Sequence, residues 1–295
     1  MSVPAAYLGI ILIWSTTPLA VQWSTQGAGF AFAVFARMAI GAALAAFLVT
    51  VWRIGLPLHA RARRAYLAGG LGTFGAMTLT YWGARHVHSG LISVLFGLTP
   101  LMTSVLAALW LRERTLTGQR LAGMLLGIAG LAFIFGQGEA AGDALAGAGL
   151  AALVLAVFFY SASLVWLKRI DDDSHALATT AGTLAVSVPL FGLVWWLAEG
   201  SVPTDLPVRT EAAIVYLGIF GSVLGFALYY YVIRHLEAGR VALITLVTPV
   251  LALLLGQLLN GEQIGPRVWL GAGLITCGLV LHQWSTLVAA MKRTG

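Results

Sequence analysis

Charge is scarce in this chain. Asp, Glu, Lys and Arg make up 9% of its 295 residues, roughly a third of the share in an ordinary soluble domain. A water-soluble fold of this size is excluded, because too little polar surface exists to cover it. Cysteine is nearly missing. The single thiol, Cys277, leaves no disulfide framework, thiolate zinc site or haem attachment to consider. The His-Glu-x-x-His and Gly-x-Gly-Asp motifs are absent, as is a Gly-x-Ser-x elbow framed by an in-span histidine. Intramembrane metallo-, aspartyl and serine hydrolysis thus lose their signatures, and His282, with Ser285 and Thr286 nearby, lacks any framing motif. No Gly-x-x-x-x-Gly-Lys loop or hydrophilic segment is present to house a nucleotide-driven motor. The sequence implies no catalytic residue, no metal and no cofactor.

What is present is hydrophobic length. Apolar residues make up 59% of the chain and glycine supplies 35 positions. About 20 apolar residues in helix cross the ~30 Å hydrocarbon layer, and glycine lets such helices approach closely. Apolar runs predict ten spans, near 4–23, 30–51, 65–84, 90–111, 120–136, 146–167, 175–198, 212–233, 240–259 and 268–288. The first run has no preceding Lys or Arg and reads as an uncleaved helix. The fold class expected is an all-α polytopic membrane protein, with the lipid bilayer as its main partner.

The net charge of +6 does not indicate nucleic acid, because the cations sit in short separate connections without interleaved aromatics. Their distribution instead predicts orientation. With the N-terminus inside, thirteen cations fall in inner segments: Arg53, Arg61, Arg63, Arg64, Arg112, Arg114, Arg120, Lys168, Arg169, Arg234, Arg240, Lys292 and Arg293. The outer segments hold Arg85, Arg209 and Arg267, and Arg37 lies within a span. Both termini are therefore expected in the cytoplasm.

An offset of 149 residues aligns Gly69–Glu113 with Gly218–Glu262 without a gap. The identities include Tyr81, Arg85-His86, Thr99-Pro100 and Glu113, types that apolar bias alone does not repeat. After one lost residue, Gly123 matches Gly271 and Gly130 matches Gly278. The units expected are 1–137 and 145–290, joined by the polar connection Gln137–Ala144. Five spans per unit is an odd number, so the second copy must be inverted. Inverted repeats mark many secondary transporters, whose pathway lies between the halves.

These residues resemble one known family. Trp14-Ser15-Thr16 in the first span, Arg37 in the second, and Pro100 leading to Leu111-Arg112-Glu113 match the EamA-type branch of the drug/metabolite transporter superfamily. The second copy keeps Pro249 and Glu262 but has Asn260-Gly261 in place of Leu-Arg. The resemblance implies a bacterial inner-membrane transporter of small molecules. Within the family the chain looks most like exporters of aromatic and other neutral amino acids, and it is expected to act as a monomer. Proton-coupled multidrug export is the nearer rival within the superfamily. Carriers of anionic phosphates or nucleotide sugars are a more distant one, since they call for more in-span cations than Arg37 alone.

The candidate pathway is expected between the repeats. Phe74, Met77, Thr78 and Tyr81 share one face of the third span, and Phe226 and Tyr230 one face of the eighth. A tyrosine offers a flat apolar wall with a hydroxyl, as a neutral substrate with a polar end requires, although packing or an interfacial belt is the plainer use. Pro100 and Pro249 predict kinks that free a backbone carbonyl toward the interior, with Phe96, Thr99 and Thr248 alongside. Trp14, Thr17, Tyr160 and Ser163 are expected to complete the lining. Arg37 could attract a substrate carboxylate, snorkel outward or pair with Glu262. All 11 acidic residues fall in connections or at helix ends, which predicts facilitated, downhill export.

Overall fold

A computed structural model describes residues 2–112, 117–135, 144–236 and 238–292. Glu113, Arg114, the connection 137–143, Glu237 and Arg293 lie outside the described residues. So do the side chains of Phe226, Tyr230, Arg234, Arg240, Ser285, Thr286 and Lys292.

Every regular element among the described residues is helical. The order is α1 (Val3–Ser24), α2 (Phe30–Val51), α3 (Ala60–Gly83), α4 (Ser89–Phe96), α5 (Thr99–Trp110), α6 (Gly118–Phe135), α7 (Ala144–Ile170), α8 (Ala176–Ala198), α9 (Val208–Tyr216), a π-helical segment (Leu217–Leu224), α10 (Gly225–His235), α11 (Ala238–Asn260) and α12 (Pro266–Lys292). Helical segments thus occupy each of the ten apolar ranges. Among the described residues, seven stretches are long and apolar enough to cross a membrane: α1, α2, α4 with α5, α7, α8, Val208–Tyr229 and α11. Glycine, threonine and aromatics dilute α3, α6 is short, and His282-Gln283 dilute α12.

Packing follows the internal repeat. α6 lies along α12, and α4 against α11. α3 packs on α7, while its counterpart by the offset, the α9-to-α10 stretch, packs on α1, the counterpart of α7. α2 rests on α8 and on the π-helical segment. One continuous core contains Tyr81, Leu95, Leu153, Leu217 and Leu253. Leu12, Phe47, Leu125, Ile128, Trp196 and Leu258 point outward and exposed, as a lipid-facing perimeter demands.

Two proline expectations separate here. The fourth span is broken outright: α4 ends at Phe96, and α5 restarts at Thr99 with Pro100 in its first turn. In the second copy α11 runs unbroken through Pro249. The difference has a local cause, since Gly97-Leu98 stands where the second copy has Leu246-Val247, and glycine weakens a helix already missing a donor. Gly97 also sits against the Pro249 ring, where an added Cβ would lie 3.8 Å away. The π-helical turn in the eighth span was not foreseen from the apolar pattern, which does not distinguish it from α-helix.

Glu199, at the end of α8, caps a distant helix. Its carboxylate accepts from the backbone N–H of Ala31 at 3.1 Å and of Phe32 at 2.9 Å. Anionic oxygens are favoured at a helix N-terminus. Gly29 makes the approach possible, for its φ is +77° and a side chain there would collide with the Glu199 carboxylate.

Candidate functional site

Among the described residues, two clusters of polar groups link several helices. The deeper one centres on Arg37, which is 5% exposed. Its Nε donates to Ser222 Oγ at 3.2 Å, and its Nη1 to Tyr81 Oη at 3.3 Å. The guanidinium carbon lies 6.0 Å from the Tyr81 ring centroid. Ser222 belongs to the π-helical segment and donates back to the Leu217 carbonyl at 3.0 Å, so the widened turn aims the hydroxyl oxygen at Arg37. Gly221 supplies the room, because an added Cβ would stand 3.1 Å from Arg37 Nη2. Arg37 neither snorkels outward nor meets Glu262, and no carboxylate lies within ion-pair distance of it among the described residues. A buried cation held only by neutral groups favours an anion beside it.

The second cluster ties the ends of four helices. Asn260 donates from Nδ2 to Gln22 Oε1 and to Glu262 Oε1, both at 2.9 Å, and its Oδ1 accepts from Trp23 Nε1 at 2.9 Å. Gln22 Nε2 donates to the Val87 carbonyl at 3.2 Å. The Ser89 N–H, opening α4, donates to Glu262 Oε1 at 3.1 Å. Thr210 donates to the Trp23 and Gln26 carbonyls, and the Arg209 guanidinium lies 3.9 Å from the Trp23 ring centroid. The end of α1, the start of α4, the end of α11 and the start of α9 are thereby joined on one side of the bundle.

Pathway residues expected from the sequence take varied places. Tyr81 is fully enclosed and turned to Arg37. Trp14 packs on Tyr229, with ring centroids 5.1 Å apart, and Phe96 on Tyr160 at 6.1 Å. Phe74 packs edge-on against Phe191 at 5.3 Å, and Met77 lies against the core beside it. Thr17 donates to the Ile13 carbonyl at 2.6 Å, one turn before the in-helix Pro18. Ser163 faces α3, where it donates to the Ala68 carbonyl at 3.2 Å. Thr248 is buried beside Pro249. The hydroxyls of Ser15, Thr78, Thr99 and Thr103 are buried and have no protein partner. Such groups prefer a polar occupant to none.

Sequence reasoning missed Ser222 and Asn260. Asn260 stood out only as a departure from the first copy, and Ser222 had no periodic signal. His282, 7% exposed, pairs through Nε2 with Ser104 Oγ at 3.0 Å. His59, Asp172 and Asp173 bring imidazole and carboxylates together at the start of α3, where His59 Nε2 lies 3.7 Å from Asp172 Oδ1. This trio lies away from both clusters and latches two connections.

A helical bundle with apolar flanks, two sequence repeats and an enclosed polar interior defines a multi-pass membrane protein. The EamA-like transporter family matches the chain twice, over residues 3–136 and 147–282, and the chain belongs to that family. It is a transporter and not an enzyme. It is 28% identical to the "Probable terminal-alkyne amino-acid exporter" of Streptantibioticus cattleyicolor, over 94% of this chain and 92% of that one. It is 26% identical to the inner membrane transporter YedA of Escherichia coli K12, over 94% and 89%. A likeness of 24% to the S-adenosylmethionine/S-adenosylhomocysteine transporter of Chlamydia muridarum covers 72% of this chain and 70% of that one. A crystal structure at 21% identity superposes with a TM-score of 0.66, over 100% of this chain and 99% of its own, which shows the fold.

Proposed function

We propose that this protein exports neutral amino acids, aromatic and other apolar ones, across the bacterial inner membrane. It acts as a monomer of ten spans in two inverted five-helix repeats, with both termini cytoplasmic. The observation that carries the reading is Arg37. An enclosed guanidinium whose partners are the hydroxyls of Tyr81 and Ser222 suits the carboxylate of a substrate. The unpartnered hydroxyls and the aromatic pairs suit the rest of a small amphipathic solute. The amino-acid exporter among the relatives points the same way.

Inversion is supported by helix direction. Gly123 meets Gly278 and Gly130 meets Gly271, so α6 and its counterpart α12 run antiparallel. The cluster around Asn260 draws together the ends that the cation bias assigns to the outside, so this conformation is closed outward. Release outside then requires that cluster to part, which is alternating access.

The test is counterflow in liposomes with labelled phenylalanine, using phenylalanine and phenylalaninol as inhibitors. Arg37→Gln should raise the half-inhibitory concentration of phenylalanine about tenfold, the worth of a hydrogen bond to a charged group, and leave that of phenylalaninol unchanged. Equal changes for both compounds would remove Arg37 from recognition. Absence of phenylalanine counterflow by the unaltered protein would remove the amino-acid reading itself.

A further inference from the structure

Where α3 begins and α7 ends, a cavity of about 530 Å³ is lined by Arg61, Arg64, Trp166, Arg169, Ile170 and Asp171. It shares no residue with the polar clusters described above. No side chain of these three arginines has a protein partner among the described residues. Arg61 and Arg64 stand in the first two turns of α3, where the helix dipole disfavours cations. Asp171 offers one opposing charge to three. The lining therefore carries three positive charges against one negative, while Asp172 next to it is turned to His59, with Asp173 alongside.

We infer that this cavity binds the phosphodiester headgroup of an anionic membrane lipid. Guanidinium forks match phosphate oxygens in geometry and charge. A lipid source, in preference to free phosphate, follows from the rest of the surface. Trp166 lines the cavity and is 54% exposed, with its ring 6.4 Å from that of Trp110. Tryptophan in such a position sits at headgroup level. Phe159 and Leu155 continue from Trp166 along the same face of α7, both exposed. That stripe gives an acyl chain an apolar track leading away from the arginines. Basic pockets at the cytoplasmic edge of membrane helices bind acidic lipids by the same physics, and the cation bias puts this edge inside. The site is independent of what the transporter carries.

The experiment is native mass spectrometry of the detergent-solubilised full chain with equimolar dioleoylphosphatidylglycerol and dioleoylphosphatidylcholine. The unaltered protein should retain one phosphatidylglycerol in preference to phosphatidylcholine. Arg61→Gln, Arg64→Gln and Arg169→Gln should each weaken that retention about fivefold, and Arg63→Gln, outside the cavity, should not. Asp171→Asn should strengthen it, and asparagine tolerates the left-handed backbone at this position, where φ is +51°. Equal retention of the two lipids by the unaltered protein overturns the proposal without recourse to any variant. So does displacement of phosphatidylglycerol by millimolar inorganic phosphate, which would assign the cavity to the free anion.

Discussion

Gly123 and Gly278 face each other backbone to backbone across the α6–α12 crossing. A Cβ on either would stand 2.5 Å from the other's carbonyl oxygen. One turn-pair further on, Gly130 and Gly271 repeat the contact at 2.6 and 2.7 Å. Because Gly123 corresponds to Gly271 and Gly130 to Gly278 in the internal repeat, the contact is self-complementary. Each helix offers the other the same pair of positions, as two copies do about a two-fold axis. Small residues at such crossings replace the hydrophobic drive that lipid does not supply.

Gly123→Ala and Gly278→Ala should each lower stability by about 1–3 kcal/mol, the usual cost of forcing atoms into a packed contact. The double variant should fall short of the sum, since the two positions touch. Gly273→Ala, with nothing within 4 Å of its added carbon, should be neutral or slightly stabilising. Thermal unfolding in detergent checks all four; equal losses at positions 123 and 273 would refute the crossing as the cause.

Asn260→Leu, which restores the residue type of Leu111 in the first copy, should loosen the outer cluster. Gln22, Trp23 and Glu262 each lose a hydrogen bond worth about 1 kcal/mol net. Labelling by an external, impermeant maleimide of a cysteine at Thr99, in a Cys277→Ala background, should quicken several-fold. Cysteines at positions 205 and 63 serve as the outer and inner controls. An unchanged rate would mean that the cluster does not hold the outer side closed.

Tyr81→Phe and Tyr81→Ala should part company. The first removes only the Arg37 partner at 3.3 Å and should cost about 1.5–3 kcal/mol, as for a hydrogen bond to a charged group. The second empties a fully enclosed ring site and should cost about 3–5 kcal/mol. Denaturation midpoints measure both. Similar, small losses would mean that the ring is not packed as described.

Imposed pH gradients should not drive uphill accumulation in liposomes. Among the described acids, Glu262 and Asp172 have buried carboxylate oxygens; Glu262 Oε1 is committed to Ser89 and Asn260, and Asp172 Oδ1 faces His59 at 3.7 Å. Proton-driven carriers need a titratable carboxylate or imidazole where substrate binds, and the partners of Arg37 are the hydroxyls of Tyr81 and Ser222. Protonophore-sensitive accumulation above equilibrium would defeat the prediction, and Glu262 and His282 would then be the groups to replace.

The sequence by itself determined the class, the repeat and the helical ranges. Scarce charge and long apolar runs permit no solvent but lipid over most of the surface, and identities such as Thr99-Pro100 with Thr248-Pro249 survive an apolar background. Arg37 was conspicuous for the same reason, being a charge where charge is costly. Which of its three uses applied was not legible, because that depends on what stands opposite. Tertiary structure decided it by placing Ser222, Tyr81 and Gly221 around the guanidinium and taking Glu262 elsewhere. The same holds for Asn260, whose partners Gln22 and Trp23 come from the far end of the chain. Apolar patterning records how each residue meets lipid or core, one helix at a time. Polar contacts between helices depend on crossing geometry and on which glycine leaves room, and they acquire meaning only once the helices are packed.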